Sequence, residues 1–352
     1  MEEATMTKRW FASDNNATVH PAVMAALARA NGGHAVGYGD DPFTERATLL
    51  FKETFGADSQ TYLVWNGTGA NVMAIASALR PWEGIVCAGH AHIAVDEAGA
   101  PERIAGVKLY TIDTEDGKLT PDMVKARVAD LGWVHSNLPR MVSVSQPTEL
   151  GTVYSGEELA SLGALCRERN YFLHVDGARL SNAAVHLGTG LREAAGPADL
   201  LSFGGTKNGL MNGEALVFLN PSLAVGAGNL RKNVLQLASK MRFLSAQYEV
   251  YLGEGLWKEN ATRSNALAKR LEAAILAQGL SPAQAVQANG VFACLPSSVT
   301  ERLLERWFFY VMDASKGLAR WMCSWDNEEE EIDAFAADLG AALSSGRQDW
   351  QA

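Results

Sequence analysis

Seven short runs rich in β-branched, aromatic and small apolar residues, spaced by stretches of helical pattern, constrain this 352-residue chain more than any other feature. They are Tyr62–Trp65, Ile85–Ala88, Lys108–Thr111, Arg140–Ser145, Tyr171–Val175, Leu200–Phe203 and Ala215–Leu219. Between them lie helical stretches such as Gly69–Leu79, Pro121–Leu131, Ser155–Arg169 and Leu180–Ala195. Strands separated by helices of this length predict an α/β fold built on a mostly parallel seven-stranded sheet with both faces covered. Ligands in such a fold belong at the C-terminal edges of the strands, where the loops gather.

The flanking segments read differently. Residues 1–20 form a polar lead containing Ser13-Asp14-Asn15-Asn16, a turn and cap cluster ahead of a helical pattern at His20–Arg29. A Gly- and Asp-rich loop, Val36 to Pro42, precedes a second helix starting near Thr44. From Leu230 to about Gly279 the pattern is of long helices, then Gln284–Leu295, Trp307–Met312 and Arg320–Ser324 suggest a small sheet, and Glu330–Leu343 a closing amphipathic helix. The expected division is an N-terminal arm (1–20), a large domain (21–235) and a smaller C-terminal α+β domain (236–352), consistent with a length that suggests two units.

The chain carries 30 Lys and Arg against 40 Asp and Glu, a net charge of −10, with no basic cluster, which argues against nucleic acid as a partner. No apolar run approaches the roughly 20 residues of a membrane span, and the early charges Glu2, Glu3, Lys8 and Arg9 leave no room for a signal-peptide core, so a cytoplasmic location is expected. Cys87, Cys166, Cys294 and Cys323 are far apart in apolar surroundings, the pattern of reduced thiols and not of a metal site.

Two strand ends carry the chemistry. Leu200 to Phe203 runs into Gly204-Gly205-Thr206-Lys207-Asn208-Gly209, a glycine-bracketed turn with one lysine. Tyr171 to Val175, 31 residues earlier by the Asp176-to-Lys207 count, ends in Asp176-Gly177-Ala178-Arg179. A lone lysine in a turn is ordinarily a solvated surface group. At the edge of a buried strand, however, desolvation lowers its proton affinity and suits it to form a Schiff base, and the glycines let backbone crowd against a ligand. An aspartate on a neighbouring strand end is either a helix cap or the partner of a pyridinium nitrogen. Together the two are the arrangement that pyridoxal 5'-phosphate requires. Arg179 is a candidate for the cofactor's 3'-oxygen or for a substrate carboxylate, with a solvent-facing arginine as the plain alternative. Asn66-Gly67-Thr68-Gly69-Ala70-Asn71 opens a helix after a strand, so its free N–H groups and the Thr68 hydroxyl suit a phosphate. His90-Ala91-His92 follows another strand; because the two alternate, at most one is expected to face the site. A metal is the weaker use of that pair, since no third ligand is near.

These segments, with Ser13-Asp14-Asn15, Tyr38-Gly39-Asp40-Asp41-Pro42, Glu97-Ala98-Gly99 and Ser239-Lys240-Met241-Arg242-Phe243, resemble the low-specificity L-threonine aldolases and the phenylserine aldolases over residues 11 to about 343. The resemblance implies the fold-type I, aspartate aminotransferase-like architecture of pyridoxal-phosphate enzymes. It further implies cleavage of β-hydroxy-α-amino acids to glycine and an aldehyde. By position it assigns Lys207 to the cofactor's covalent attachment, Asp176 to the pyridine nitrogen, His92 to the ring face, Gly67 and Thr68 to the phosphate, and Ser13, Arg179 and Arg320 to the substrate carboxylate. Family members are homotetramers with shared sites, so Tyr38 and Arg242 are expected to reach a neighbouring subunit's substrate and phosphate. Where many members have a histidine near the β-hydroxyl, this chain has Glu149, which leaves His92, Glu149 or a water as the base. The alternatives are a β-eliminating lyase or aminotransferase using the same Lys207 and Asp176, or a catalytically inactive pyridoxal-phosphate-binding protein. Folate-dependent transfer is disfavoured by the absence of an extended folate segment.

Overall fold

The computed structural model describes residues 9–349; the opening stretch 1–8 of the expected arm, with Glu2, Glu3 and Lys8, lies outside the described residues. A two-residue strand, β1 (Arg9–Trp10), comes first. The large sheet then takes β2 (Gln60–Val64), β3 (Glu83–Ala88), β4 (Lys108–Ile112), β5 (Leu138–Ser145), β6 (Phe172–Gly177), β7 (Leu200–Phe203) and β8 (Glu214–Phe218) in the order β2-β8-β7-β6-β5-β3-β4. Only β8 runs against its neighbours β2 and β7, so the expected seven-stranded, mostly parallel sheet is the sheet observed.

Its strands read as continuous apolar runs because both faces are covered. Val86, Val142, Val144, Leu201 and Phe203 point into one core with Phe51, Tyr248 and Tyr251. Ile85, Cys87, Met141 and Leu200 point into the other, against Met73 and Ile75 of the helix Gly67–Ala78. This helix is apolar all round, as burial between sheet and outer helices demands. Two expected helices are shorter than their patterns. Gly188, at φ 67, ends the helix Leu180–Leu187 in a left-handed turn before the short Leu191–Ala194, and the helix begun at Pro121 stops at Arg127.

The C-terminal part carries β9 (Gly290–Cys294), β10 (Trp307–Phe308), β11 (Tyr310–Asp313) and β12 (Leu318–Met322); β11, β12 and β9 form a three-stranded antiparallel sheet. Against it pack the helices Leu256–Ala277 and Glu329–Asp349, around a core of Trp307, Trp321 and Phe335. The N-terminal segment is anchored here. β1 pairs with β10, and Phe11, 1% exposed, has its ring 5.4 Å from Trp307 and 5.2 Å from Phe335. Burying that ring on the small sheet delivers residues 12–16 to the seam between the two sheets.

Candidate active site

Asn66, His92, Glu149, Asp176 and Lys207 all follow or end parallel strands, so the doubly covered sheet collects them at one edge. A cavity of about 280 Å³ opens there and is lined by all five. Its outer continuation, about 340 Å³, takes in Ser13, Arg179 and Arg320.

Lys207 sits in a single tight turn, Thr206–Asn208, directly after β7. The turn is held from β8: Glu214 accepts the N–H of Gly205 at 2.9 Å and of Thr206 at 3.3 Å. Among the described residues the lysine amine has no hydrogen-bond partner. Burial, and then the Arg179 guanidinium, push it below the usual lysine range, against the pull of Asp14, Asp176 and Glu214. An amine that loses its proton more readily is what carbonyl attachment needs. The glycines serve a different purpose from the one expected. A Cβ on Gly204 would lie 2.4 Å from the Ala178 carbonyl oxygen and one on Gly205 the same distance from Leu210, so the crowding is against protein. Gly204 is what allows the lysine turn to lie on the Asp176–Arg179 turn.

Asp176 does not cap the helix that follows it, whose cap position is Arg179. Its Oδ1 accepts the Ala178 N–H at 3.0 Å and its Oδ2 accepts Asn71 Nδ2 at 2.8 Å. Asn71 Oδ1, buried at the cavity wall, has no hydrogen-bond partner among the described residues. At the other end, Asn66 caps the helix Gly67–Ala78 by accepting the Gly69 N–H at 2.8 Å. The first N–H groups of the helix, at Gly67 and Thr68, are left facing the cavity they line, as helix geometry requires. An amine of lowered proton affinity, a carboxylate and an anion-binding helix start in one cavity fit pyridoxal 5'-phosphate.

His92 lines both the inner and the outer cavity, whereas His90 lines only the outer one. The His92 ring Nδ1 bonds Glu97 Oε1 at 2.8 Å. Its backbone N–H donates to Glu149 Oε1 at 2.8 Å, and the same oxygen accepts the Ser145 hydroxyl at 2.6 Å. Burial pushes the Glu149 carboxyl up, and the neighbouring Asp176 adds to the rise.

Arg179 is not free. Its Nε and Nη2 donate to both oxygens of the buried Asp14, and Asn289 Nδ2 donates to Asp14 Oδ2 at 3.0 Å. Arg320 donates one bond, Nη2 to the Ala12 carbonyl at 2.9 Å, and makes no ion pair among the described residues; its Nε is buried without a partner. Burial, then Arg179, lower its proton affinity. An unneutralised guanidinium beside the cavity is a receptor for a carboxylate. Ser13 lines the outer cavity while its Oγ accepts the Asn15 N–H at 3.2 Å. Tyr38 and Arg242 line neither cavity of their own chain: Tyr38 lies beneath Lys232, and Arg242 donates to the Gly33 carbonyl.

Asp14, Asn71, Glu97, Glu214 and Asn289 were missed as site residues by sequence reasoning. Asp14, Asn71 and Glu97 stand inside the quoted motifs, which was the available signal. Glu214 and Asn289 stand in none.

The described residues lie in a chain that matches the family model for beta-eliminating lyases over residues 11–297. It is 41% identical over 340 residues to the low specificity L-threonine aldolase of a Pseudomonas species, covering 95% of this chain and 98% of that one. Identity to the Pseudomonas aeruginosa enzyme of the same name is 42%, with the same coverage. The solved structure of a Leishmania major threonine aldolase superposes with a TM-score of 0.90 at 32% identity, covering 94% of this chain and 98% of that one.

Proposed function

The chain belongs to the low-specificity L-threonine aldolases within the beta-eliminating lyase family, and from that premise we propose that it is a pyridoxal 5'-phosphate-dependent lyase splitting L-threonine and L-allo-threonine into glycine and acetaldehyde. The observation that carries this reading is the pairing of the Lys207 amine and the Asp176 carboxylate in one cavity that opens toward an unneutralised Arg320.

Lys207 would attach the cofactor, Asp176 hold its pyridine nitrogen, Gly67 and Thr68 its phosphate, and His92 its ring face. When bound, the cofactor supplies a sink for the electron pair released as Cα–Cβ breaks. The chain's own residues do the rest. Arg320 and the remaining guanidinium nitrogen of Arg179, with Ser13, grip the substrate carboxylate and so select which bond at Cα is oriented for cleavage. His92 or Glu149 would take the β-hydroxyl proton, directly or through a water. Glu149 Oε1 already accepts the His92 N–H and the Ser145 hydroxyl, which makes the His92 ring the better acceptor.

The mixed lining of the outer cavity includes the apolar side chains of Val95, Phe292, Met312 and Met322 and the ring of Tyr310, which support phenylserine-type substrates as well. The reading extends to a cytoplasmic homotetramer in which Tyr38 and Arg242 serve a neighbouring subunit's substrate and phosphate; their position outside their own chain's cavity supports it.

The test is product analysis with the cofactor present on L-threonine, L-allo-threonine and L-phenylserine. Glycine and the matching aldehyde, without pyruvate, ammonia or need of a keto-acid acceptor, are expected. Pyruvate and ammonia would instead indicate β-elimination, and dependence on a keto acid would indicate transamination. Lys207→Ala is expected to abolish both the visible absorbance of bound cofactor and glycine release. An unchanged spectrum overturns the central assignment, and cofactor absorbance without turnover in the wild type would leave only a binding protein.

A further inference from the structure

Glu97 has entered no step so far, yet its side chain is wholly removed from solvent. The chain reverses directly behind it through two successive left-handed residues, Ala98 at φ 51 and Gly99 at φ 72. A left-handed residue that carries a Cβ is strained and persists only where its surroundings enforce it. Ahead of the turn, the single helical turn His92–Val95 and Asp96 carry the chain round so that Glu97 lies against the ring of His92. Glu97 Oε1 also accepts Asn71 Nδ2 at 2.8 Å, and the same nitrogen donates its other proton to Asp176 Oδ2 at 2.8 Å. One amide nitrogen thus clamps two carboxylates. Because Oε1 acts as an acceptor toward Asn71, the His92 nitrogen facing it carries the proton, which leaves Nε2 as the ring's acceptor. Nε2 makes no hydrogen bond to any described residue.

Resting on the aldol-cleavage reading above, we propose that Glu97, held by Asn71, is a positioning residue that fixes His92 in the Nδ1–H form and turns Nε2 toward the substrate's β-hydroxyl. The hydroxyl proton passes to Nε2 and the O–H electron pair becomes the second C–O bond of the aldehyde. The Cα–Cβ pair stays with the glycine half, and the proton taken up by His92 balances the one that Cα later acquires. Through Asn71, the same clamp ties the ring's position to that of Asp176, so base and pyridine partner are set by one network.

Several charges face His92: Glu97 and Asp176 favour its protonated form, Lys207 opposes it, Glu149 accepts its backbone N–H, and Asp96, Arg179 and Arg320 share the outer cavity. The bond to Glu97 is the largest influence and raises its proton affinity. The acceptor form is therefore lost as pH falls through that raised value.

The experiment compares the wild-type holoenzyme with Glu97→Gln and Glu97→Ala. Two readouts are taken: the pH profiles of kcat and kcat/KM for L-threonine, and the His92 tautomer by long-range ¹H–¹⁵N NMR, assigned with His92→Asn. Glu97→Gln is expected to lower kcat by roughly 10- to 100-fold with KM little changed, a part of what a placed general base contributes. Its acid limb moves to lower pH, because the carboxylate that raised His92 is gone. The wild-type ring shows the Nδ1–H form, and Glu97→Ala a mixture. An acid limb and a tautomer unchanged in both variants overturn the proposal; if the alanine variant does not fold, the glutamine variant and the wild-type tautomer decide it. A wild type that makes no glycine overturns the functional reading instead, and the NMR arm still decides whether Glu97 sets the ring.

Discussion

Asp14 and Arg179, 165 residues apart, form a two-pronged ion pair in which Arg179 Nε and Nη2 donate at 2.6 and 2.8 Å to the two Asp14 oxygens. The Asp14 side chain is fully buried and that of Arg179 is 17% exposed. Asn289, from the C-terminal part of the chain, donates to the same carboxylate and to the Cys323 carbonyl at 2.8 Å. The pair therefore joins the N-terminal segment, the large sheet and the small sheet at the mouth of the cavity.

Asp14→Asn leaves a buried guanidinium without its counter-charge, which costs about 3–5 kcal/mol. Urea unfolding of the holoenzyme is expected to show a loss of that size, together with a raised KM for L-threonine as Arg179 shifts. The wild-type contribution has a defined pH window. Although burial pushes the Asp14 carboxyl up, Arg179 holds it below its ordinary value of 3.8, so the stabilisation is present above 3.8 and disappears as pH falls through the lower folded value. A variant as stable as wild type at neutral pH contradicts this.

Glu214 provides the opposite sign. Burial pushes its carboxyl from 4.5 up to about 7, even though two backbone N–H groups and Lys207 favour the charged form. Between those values the folded protein binds more protons than the unfolded chain, so this group's contribution is complete below 4.5 and is lost as pH rises to about 7. The melting temperature of wild type minus that of Glu214→Gln, measured in steps of about one pH unit from below the ordinary value to above the raised one, is accordingly expected to fall as pH rises. A difference that stays flat across the range would show that the carboxyl titrates normally.

The apolar side chains in the outer cavity set the third expectation. Met312, 46% exposed, lines that cavity beside Tyr310 and Phe292. Met312→Trp fills space that an aromatic β-substituent needs and a methyl group does not. The kcat/KM for L-phenylserine should drop by about 10-fold or more while that for L-threonine changes by no more than about threefold, in keeping with what steric pocket changes deliver. Equal losses on both substrates would place the aldehyde side elsewhere.

Much of this site was legible in the sequence because strand ends announce themselves. An apolar run followed by Asp176 or by the Lys207 turn locates each residue at the edge of a parallel sheet, and every parallel edge in such a fold points the same way. Asn66 to Thr68 and His92 followed from the same rule. Glu214 could not, because β8 is reversed: the residue at its start, not its end, reaches the site, and apolar patterning carries no strand direction. Asn289 reaches Asp14 only because Phe11 is packed on the small sheet, a contact between segments nearly 300 positions apart.

What the sequence determined by itself was the local grammar, namely which segments form strands, where each strand stops, and which reactive side chain stands at each stop. It did so because backbone geometry and apolar periodicity act over a few residues. Only the tertiary structure decided the partners: Asp14 for Arg179, Glu97 for His92, and Asn71 between Glu97 and Asp176. Those pairings depend on distances across the sheet and between the two sheets, set by packing of the three cores, and no local pattern encodes them.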